Sequence, residues 1–150
     1  MGRPDDIDVL LVEDNPDDVE FTLRALRKAN VALSIVLAED GVKALEILHR
    51  TGAWAARPGA GAPRLVLMDL NLPKISGIEV LRRMRSDPRT RTIPVVVLTS
   101  SREERDLRDA YAAGTNSYVT KPDDYPALVA LLGDTVRYWL QLNVSPPAMI

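Results

Sequence analysis

Leu65-Val66-Leu67-Met68-Asp69-Leu70-Asn71-Leu72-Pro73 decides how this chain is read. Four apolar residues run straight into a carboxylate, and a polar residue and a proline follow closely. An unbroken apolar run of this length suits a strand buried on both faces, as in a parallel sheet covered by helices. Such a strand has no packing reason to end in Asp. In open α/β sheets, ligands bind beyond the carboxyl ends of the strands, so Asp69 is the first candidate for chemistry. Capping a loop or the next helix is the plain alternative for an Asp here. This stretch alone does not separate the two.

The same pattern recurs on either side. Upstream, residues 7–12 read as a buried strand ending in Glu13-Asp14. Asn15-Pro16-Asp17-Asp18 then starts a helix: a capping side chain, Pro at the first helical position, and acids at the positive dipole end. Val19, Leu23 and Leu26 follow at helical spacing. Residues 33–38 form another strand, and Asp40-Gly41 opens a helix carrying Val42, Leu45 and Leu48 that stops near Gly52. Residues 53–63, with Trp54 among them, are small, Gly/Pro-rich and aperiodic, and read as a surface loop.

Downstream, a helix begins at Ser76 or Gly77, reaches Arg85 and is broken by Asp87-Pro88. Residues 94–98 form a buried strand ending in Thr99-Ser100. Ser101-Arg102-Glu103-Glu104 matches a capping box, with Leu107, Ala110 and Tyr111 behind it and Gly114 as C-cap. Residues 116–120 make a short fifth strand, followed by Lys121-Pro122. The last helix spans about residues 124–142. The chain thus divides into a lead (1–6), one domain (7–142) and a Pro-containing tail (143–150), with no internal repeat. Five strands alternating with five helices imply an α/β, doubly wound parallel sheet. The expected strand order is 2-1-3-4-5, flavodoxin-like.

Composition narrows the function. At 150 residues, 46% hydrophobic and 27% charged, the chain is an ordinary globular domain with enough length for a core. Nineteen basic against 21 acidic residues, with no basic stripe, argue against nucleic acid. Without Cys there is no disulfide, thiolate nucleophile or Cys-based zinc site. No signal-peptide core and no apolar run near the roughly 18 residues of a membrane span is present, so a cytoplasmic protein is expected.

In the expected strand order, Glu13 and Asp14 face Asp69 across neighbouring strand tips. Three carboxylates in one hollow repel unless a cation sits between them. Mg²⁺ suits such a hollow, because it takes one or two carboxylates, keeps waters and accepts phosphate oxygens. The fourth strand delivers the Thr99 hydroxyl to the same rim and the fifth the Lys121 ammonium; together they suit a phosphoryl group. Asp can form an aspartyl-phosphate, and Asp69 is the central choice of nucleophile. Singly, Glu13 or Asp14 reads as a helix-capping acid, Thr99 as a turn residue, Lys121 as a solvated charge and Tyr118 as strand filler. Independent fillers would not all fall at the carboxyl ends of adjacent strands.

These residues resemble the receiver domains of two-component response regulators. The matching pieces are Val12-Glu13-Asp14, Met68-Asp69-Leu70-Asn71-Leu72-Pro73, Gly77, Leu98-Thr99-Ser100, Ala113-Gly114 and Tyr118-Val119-Thr120-Lys121-Pro122. They run in order over about residues 9–132. The resemblance implies that Asp69 accepts a phosphoryl group from a histidine kinase. It implies that Glu13, Asp14, Asp69 and the backbone carbonyl of Asn71 hold Mg²⁺, that Thr99 and Lys121 bind phosphate, and that Tyr118 is a rotating switch aromatic. It also implies a cis Lys121–Pro122 bond and a phosphoacceptor rather than an enzyme. Asp123 departs from the pattern, since many receivers carry an aromatic there. A narrower likeness is to the single-domain regulators paired with bacterial phytochrome kinases. It rests on the Trp54 loop, the Asp-Leu-Asn-Leu-Pro tip and the tail Tyr138-Trp139-Leu140…Val144-Ser145-Pro146-Pro147.

Rivals are weaker. A haloacid-dehalogenase-type, Mg²⁺-dependent aspartyl-phosphate phosphatase needs a second Asp where Asn71 stands. A flavodoxin needs a hydroxyl-rich phosphate loop where Glu13-Asp14-Asn15-Pro16-Asp17-Asp18 is acidic, and no P-loop pattern occurs. His49, the only histidine, reads as a solvated surface residue. A phosphate sink or relay intermediate is the alternative role to signalling by protein contact. Finally, Tyr138, Trp139, Leu140 and Leu142 cluster late on the last helix. With Leu128, Leu132 and Val136 facing the sheet, Tyr138 and Leu140 are expected to lie uncovered, which suggests a homodimer interface there.

Overall fold

Alternation along short strands builds two cores from one sheet. The structure, a computed structural model, describes residues 7–55 and 62–147; the lead 1–6 lies outside them. The strands are β1 (Val9–Val12), β2 (Ile35–Ala38), β3 (Leu65–Met68), β4 (Val95–Thr99) and β5 (Ser117–Thr120). All pairings are parallel, in the order β2-β1-β3-β4-β5 that the sequence predicts. The helices between and after them are α1 (Pro16–Ala29), α2 (Gly41–His49), α3 (Gly77–Ser86), α4 (Glu104–Ala113) and α5 (Tyr125–Arg137).

Leu10, Val12, Val66, Met68, Val95 and Val97 point to one face and pack with Ala44 and Leu45 of α2, Val80, Leu81 and Met84 of α3, and Ala110 and Ala113 of α4. Their neighbours Val9, Leu11, Leu65, Leu67, Val96 and Leu98 point to the other face. They pack with Ala25 and Leu26 of α1 and Leu128, Leu132 and Val136 of α5. Each Val, Leu or Met among them, fully buried, stabilises the fold by about 1.5–3 kcal/mol relative to exposure. Burial on both faces is why these strands read as continuous apolar runs.

Local signals set most helix starts. Asn15 Oδ1 accepts from the N–H groups of Asp17 (3.0 Å) and Asp18 (3.1 Å), with Pro16 opening the helix. Asp40, Ser76 and Asp124 cap α2, α3 and α5 in the same way. The helix at Ser101 starts later than the capping-box pattern predicts. Glu103 takes the N-cap position without a side-chain bond, while the Ser101 hydroxyl accepts from the Glu103 N–H and donates to Asp106.

Three further expectations change. Trp54 sits in a 3-10 turn (Gly52–Trp54) and packs against the core on the α2–α4 face; residues 56–61 of that loop lie outside the described residues. His49 is half-buried, not solvated, because its ring lies 3.4 Å from the Asp87 carboxylate across the α2 and α3 ends. The last helix also leaves α-geometry at Arg137 and continues as a π-helical turn, Tyr138–Leu142. The wider turn brings Trp139 and Leu140 against the α1–α5 core, and Arg64 Nη2 donates to the Leu140 carbonyl at 2.6 Å. Leu140 is therefore half-buried against its own domain, more covered than the sequence predicts, whereas Tyr138 and Leu142 remain 49% and 59% exposed. Beyond it, Ser145, Pro146 and Pro147 run beside Arg64, Ile93 and Pro94 at the amino end of the sheet.

Candidate functional site

Register brings the strand tips level. Val12 pairs with both Ala38 and Met68. The Asp69 N–H donates to the Val12 carbonyl (3.0 Å), Glu13 N–H to Ala38 (3.1 Å) and Lys121 N–H to Thr99 (2.8 Å). Each candidate residue thus begins where its strand's ladder ends. Gly77 lets α3 start directly on the Asp69 backbone: a Cβ there would stand 2.5 Å from the Asp69 carbonyl oxygen and 2.8 Å from Leu70 Cα. The close approach, rather than an unusual φ, demands glycine.

Glu13, Asp14 and Asp69 bring carboxylate oxygens within 4.8 Å of one another. Glu13 is 2% exposed; its Oε1 accepts from Lys121 Nζ at 2.7 Å, and its Oε2 is buried with no partner among the described residues. Lys121 Nζ also lies 3.4 Å from Asp18 Oδ2 and 3.9 Å from Asp69 Oδ2. Asp69 Oδ1 accepts from the Leu70 N–H at 2.7 Å, which fixes the carboxylate plane and leaves Oδ2 toward the lysine. Sequence reading placed Asp18 only as a first-turn acid of α1. Its place in the first turn of α1, a few residues past the β1 tip, is the sequence signal that it can reach the site.

The electrostatics follow from crowding. Burial pushes the Glu13 carboxyl up to about 8, against the opposing pull of Lys121. Burial lowers the Lys121 ammonium, but Glu13, Asp69 and Asp18 outweigh it and hold the group above its ordinary value. The lysine thus stays charged beside Glu13, whose carboxyl ionises only near pH 8. A buried, unpartnered carboxylate oxygen beside two further carboxylates fits a small, oxygen-seeking divalent cation.

Thr99 is buried and its Oγ1 accepts from the Ser101 N–H at 3.3 Å, so the hydroxyl hydrogen remains to be donated. Tyr118 is half-buried; its hydroxyl donates to the Ser101 carbonyl at 3.1 Å. Asn71 is exposed across an open cleft from Ser100, Ser101 and Arg102. The structure therefore gathers Glu13, Asp14, Asp69 and Lys121 into one cluster and connects Thr99 with Tyr118 through Ser101. Ser101 was missed as a site residue because its local pattern reads as a helix cap. The Lys121–Pro122 bond is trans, as no cis peptide occurs among the described residues. Trans is the lower-energy form by about 0.5–1 kcal/mol, and Lys121 reaches Glu13 without the tighter turn.

A 2-1-3-4-5 parallel sheet, with an acidic cluster, a lysine and a buried threonine on adjacent strand tips, defines the receiver class of signalling domain. The family description "Response regulator receiver domain" matches residues 9–133, and the chain belongs to that family. Among its relatives, the probable methanogenesis regulatory protein FilR2 of Methanothrix harundinacea is 41% identical over 92% of this chain and 86% of its own. The response regulator Rcp1 of Synechocystis sp. is 34% identical over 93% of each chain. Rcp1 is also known in a Mn²⁺-bound form, which superposes with a TM-score of 0.82 at 33% identity, covering 96% of this chain and 100% of that one. The phosphorylated cyanobacterial phytochrome response regulator RcpA superposes with a TM-score of 0.85 at 35% identity, covering 94% and 99%.

Proposed function

We propose that Asp69 accepts a phosphoryl group from a partner histidine kinase, with Mg²⁺ held by Glu13, Asp14, Asp69 and the Asn71 carbonyl. The observation that carries this reading is the carboxylate cluster capped by Lys121, with one buried Glu13 oxygen left unpartnered. Asp69 Oδ2 attacks phosphorus and forms the P–O bond of an acyl phosphate. The P–N bond of the kinase phosphohistidine breaks, and its electron pair returns to the imidazole. The metal, when bound, offsets the charge of carboxylate and phosphoryl oxygens. Lys121 turns from Glu13 toward the phosphoryl oxygens, and the Thr99 hydroxyl donates to them. Tyr118 follows Thr99 through their shared neighbour Ser101. The protein carries a signal rather than turning over a substrate, and it acts in the cytoplasm through protein contacts.

The likeness to RcpA supports a phytochrome-type kinase as the phosphodonor. Labelled acetyl phosphate is expected to modify the protein with Mg²⁺ and leave it unlabelled after chelation. A protein unlabelled by both small donor and kinase in Mg²⁺ would sink the proposal.

Metal binding should depend on pH. A raised Glu13 carboxyl holds its proton below about 8 in the metal-free site, and the cation must displace it. Mg²⁺ affinity is therefore expected to fall as pH drops from 8 to 6, by up to about tenfold per unit, with proton release in calorimetry. A flat profile over that range would remove Glu13 from the ligand set.

The homodimer proposal now centres on Tyr138 and Leu142, which stay exposed, with Trp139 and Leu140 half-buried beside them. Tyr138→Ser with Leu142→Ser should shift sedimentation toward monomer. Wild-type protein already monomeric at high micromolar concentration would end that idea.

A further inference from the structure

The turn between β4 and α4 has Ser101 at its centre, and every polar group of that residue is engaged. Its N–H donates to Thr99 Oγ1 (3.3 Å) and its carbonyl accepts from the Tyr118 hydroxyl (3.1 Å). Its own hydroxyl donates to Asp106 Oδ2 (2.5 Å) and accepts from the Glu103 N–H (3.3 Å). Two of these partners belong to the site, and two belong to the start of α4. The N-cap side chains of α1, α2, α3 and α5 each accept from a backbone N–H, whereas that of α4 does not. The first turn of α4 is closed by Ser101 and Asp106 in place of a cap. Behind it, Leu107 and Tyr111 are 41% and 50% exposed, so any shift of this helix moves an apolar surface.

We infer that Ser101 and Asp106 are positioning residues, a hydrogen-bonded latch that carries the phosphorylation state of Asp69 to the first turn of α4. The inference rests on the reading of Asp69 as phosphoacceptor. A phosphoryl group there adds nearly two negative charges and strong acceptor oxygens. Thr99 has one hydroxyl hydrogen to give, and its oxygen is already the acceptor for the Ser101 N–H. When Thr99 moves toward Asp69, its bond to the Ser101 N–H draws Ser101 along. The Ser101 hydroxyl then shifts relative to Asp106, and the α4 turn loses the side-chain bond that closes it. Ser101 and Asp106 take no part in the transfer. They give both ends of the path a shared element with two arrangements, which is what coupling between sites requires.

The test is amide hydrogen exchange of residues 104–108, with and without phosphorylation, and Asp69 labelling measured on the same samples. Coupling of ordinary strength shifts such an equilibrium by about 5–150-fold. In the wild type, phosphorylation should speed exchange in this turn by about five-fold or more. Ser101→Ala should exchange fast in both states, with the ratio falling toward one while Asp69 is still labelled. Asp106→Ala removes the same bond from the helix side and should behave alike, which guards against a loop defect peculiar to one variant. Ser101→Thr keeps a hydroxyl and should restore the ratio, whereas a cap of merely structural value would change the baseline and leave the ratio intact. A wild-type-sized ratio in labelled Ser101→Ala, or no change in labelled wild type, overturns the latch. Absence of label in the wild type overturns the reading of Asp69 itself.

Discussion

Asp69→Asn is expected to abolish phosphorylation, lowering labelling by any donor by at least about a hundredfold, since losing a nucleophile outright can cost far more. The amide keeps the shape and the acceptor that the Leu70 N–H needs, so the strand tip should hold. What disappears is the nucleophilic oxygen and the charge of one of the three carboxylates crowded within 4.8 Å. Relief of that repulsion means the metal-free variant should melt no lower than wild type. Mass spectrometry of intact protein after acetyl phosphate treatment measures the first effect, and thermal unfolding the second. Full labelling of the variant would move the acceptor elsewhere. A large drop in melting temperature would mean that Asp69 serves the fold more than the chemistry.

Lys121→Met should slow phosphoryl transfer by about 10²–10³-fold, the usual cost of losing one preorganised group at developing charge. Its effect on stability should depend on pH, and the sign follows from Glu13. Burial already raises the Glu13 carboxyl, and Lys121 is the main influence lowering it. Without the ammonium the carboxyl rises further and keeps its proton above pH 8, where wild-type Glu13 has already ionised against Lys121. A group whose folded-state pKa is raised favours the fold at low pH and disfavours it as pH climbs through that value. The deficit of Lys121→Met relative to wild type should therefore be small at pH 6 and grow toward pH 9. Its ceiling is the roughly 3–5 kcal/mol of leaving a buried charge unpaired. Denaturant unfolding at the two pH values measures it. An equal deficit at both would show that Glu13 is not the group answering for the lysine.

The strands were legible because their signal is local and repeated. Residues 65–68 and 95–98 are apolar at every position because both faces of the sheet are covered, and a polar residue marks each tip. Caps at Asn15, Asp40 and Ser76 were equally readable, since a capping side chain answers N–H groups only two or three residues away. The Ser101 motif has the same appearance and a different outcome. Its hydroxyl accepts from the Glu103 N–H and gives its hydrogen to Asp106, a partner that the course of the turn brings within reach.

From order and spacing alone, the chain determined its parallel sheet, its two-faced core and the meeting of Glu13, Asp14, Asp69, Thr99 and Lys121 at one edge. Strand polarity and right-handed crossovers leave those tips nowhere else to go. Tertiary structure decided the rest. Asp18 joins Lys121 because α1 leans its first turn over the β5 tip. His49 is tucked beside Asp87 because the ends of α2 and α3 converge. Leu140 turns inward because the helix widens after Arg137 and Arg64 holds its carbonyl. Each of these depends on how elements far apart in the chain lie against one another, and a local run of residues carries no record of that.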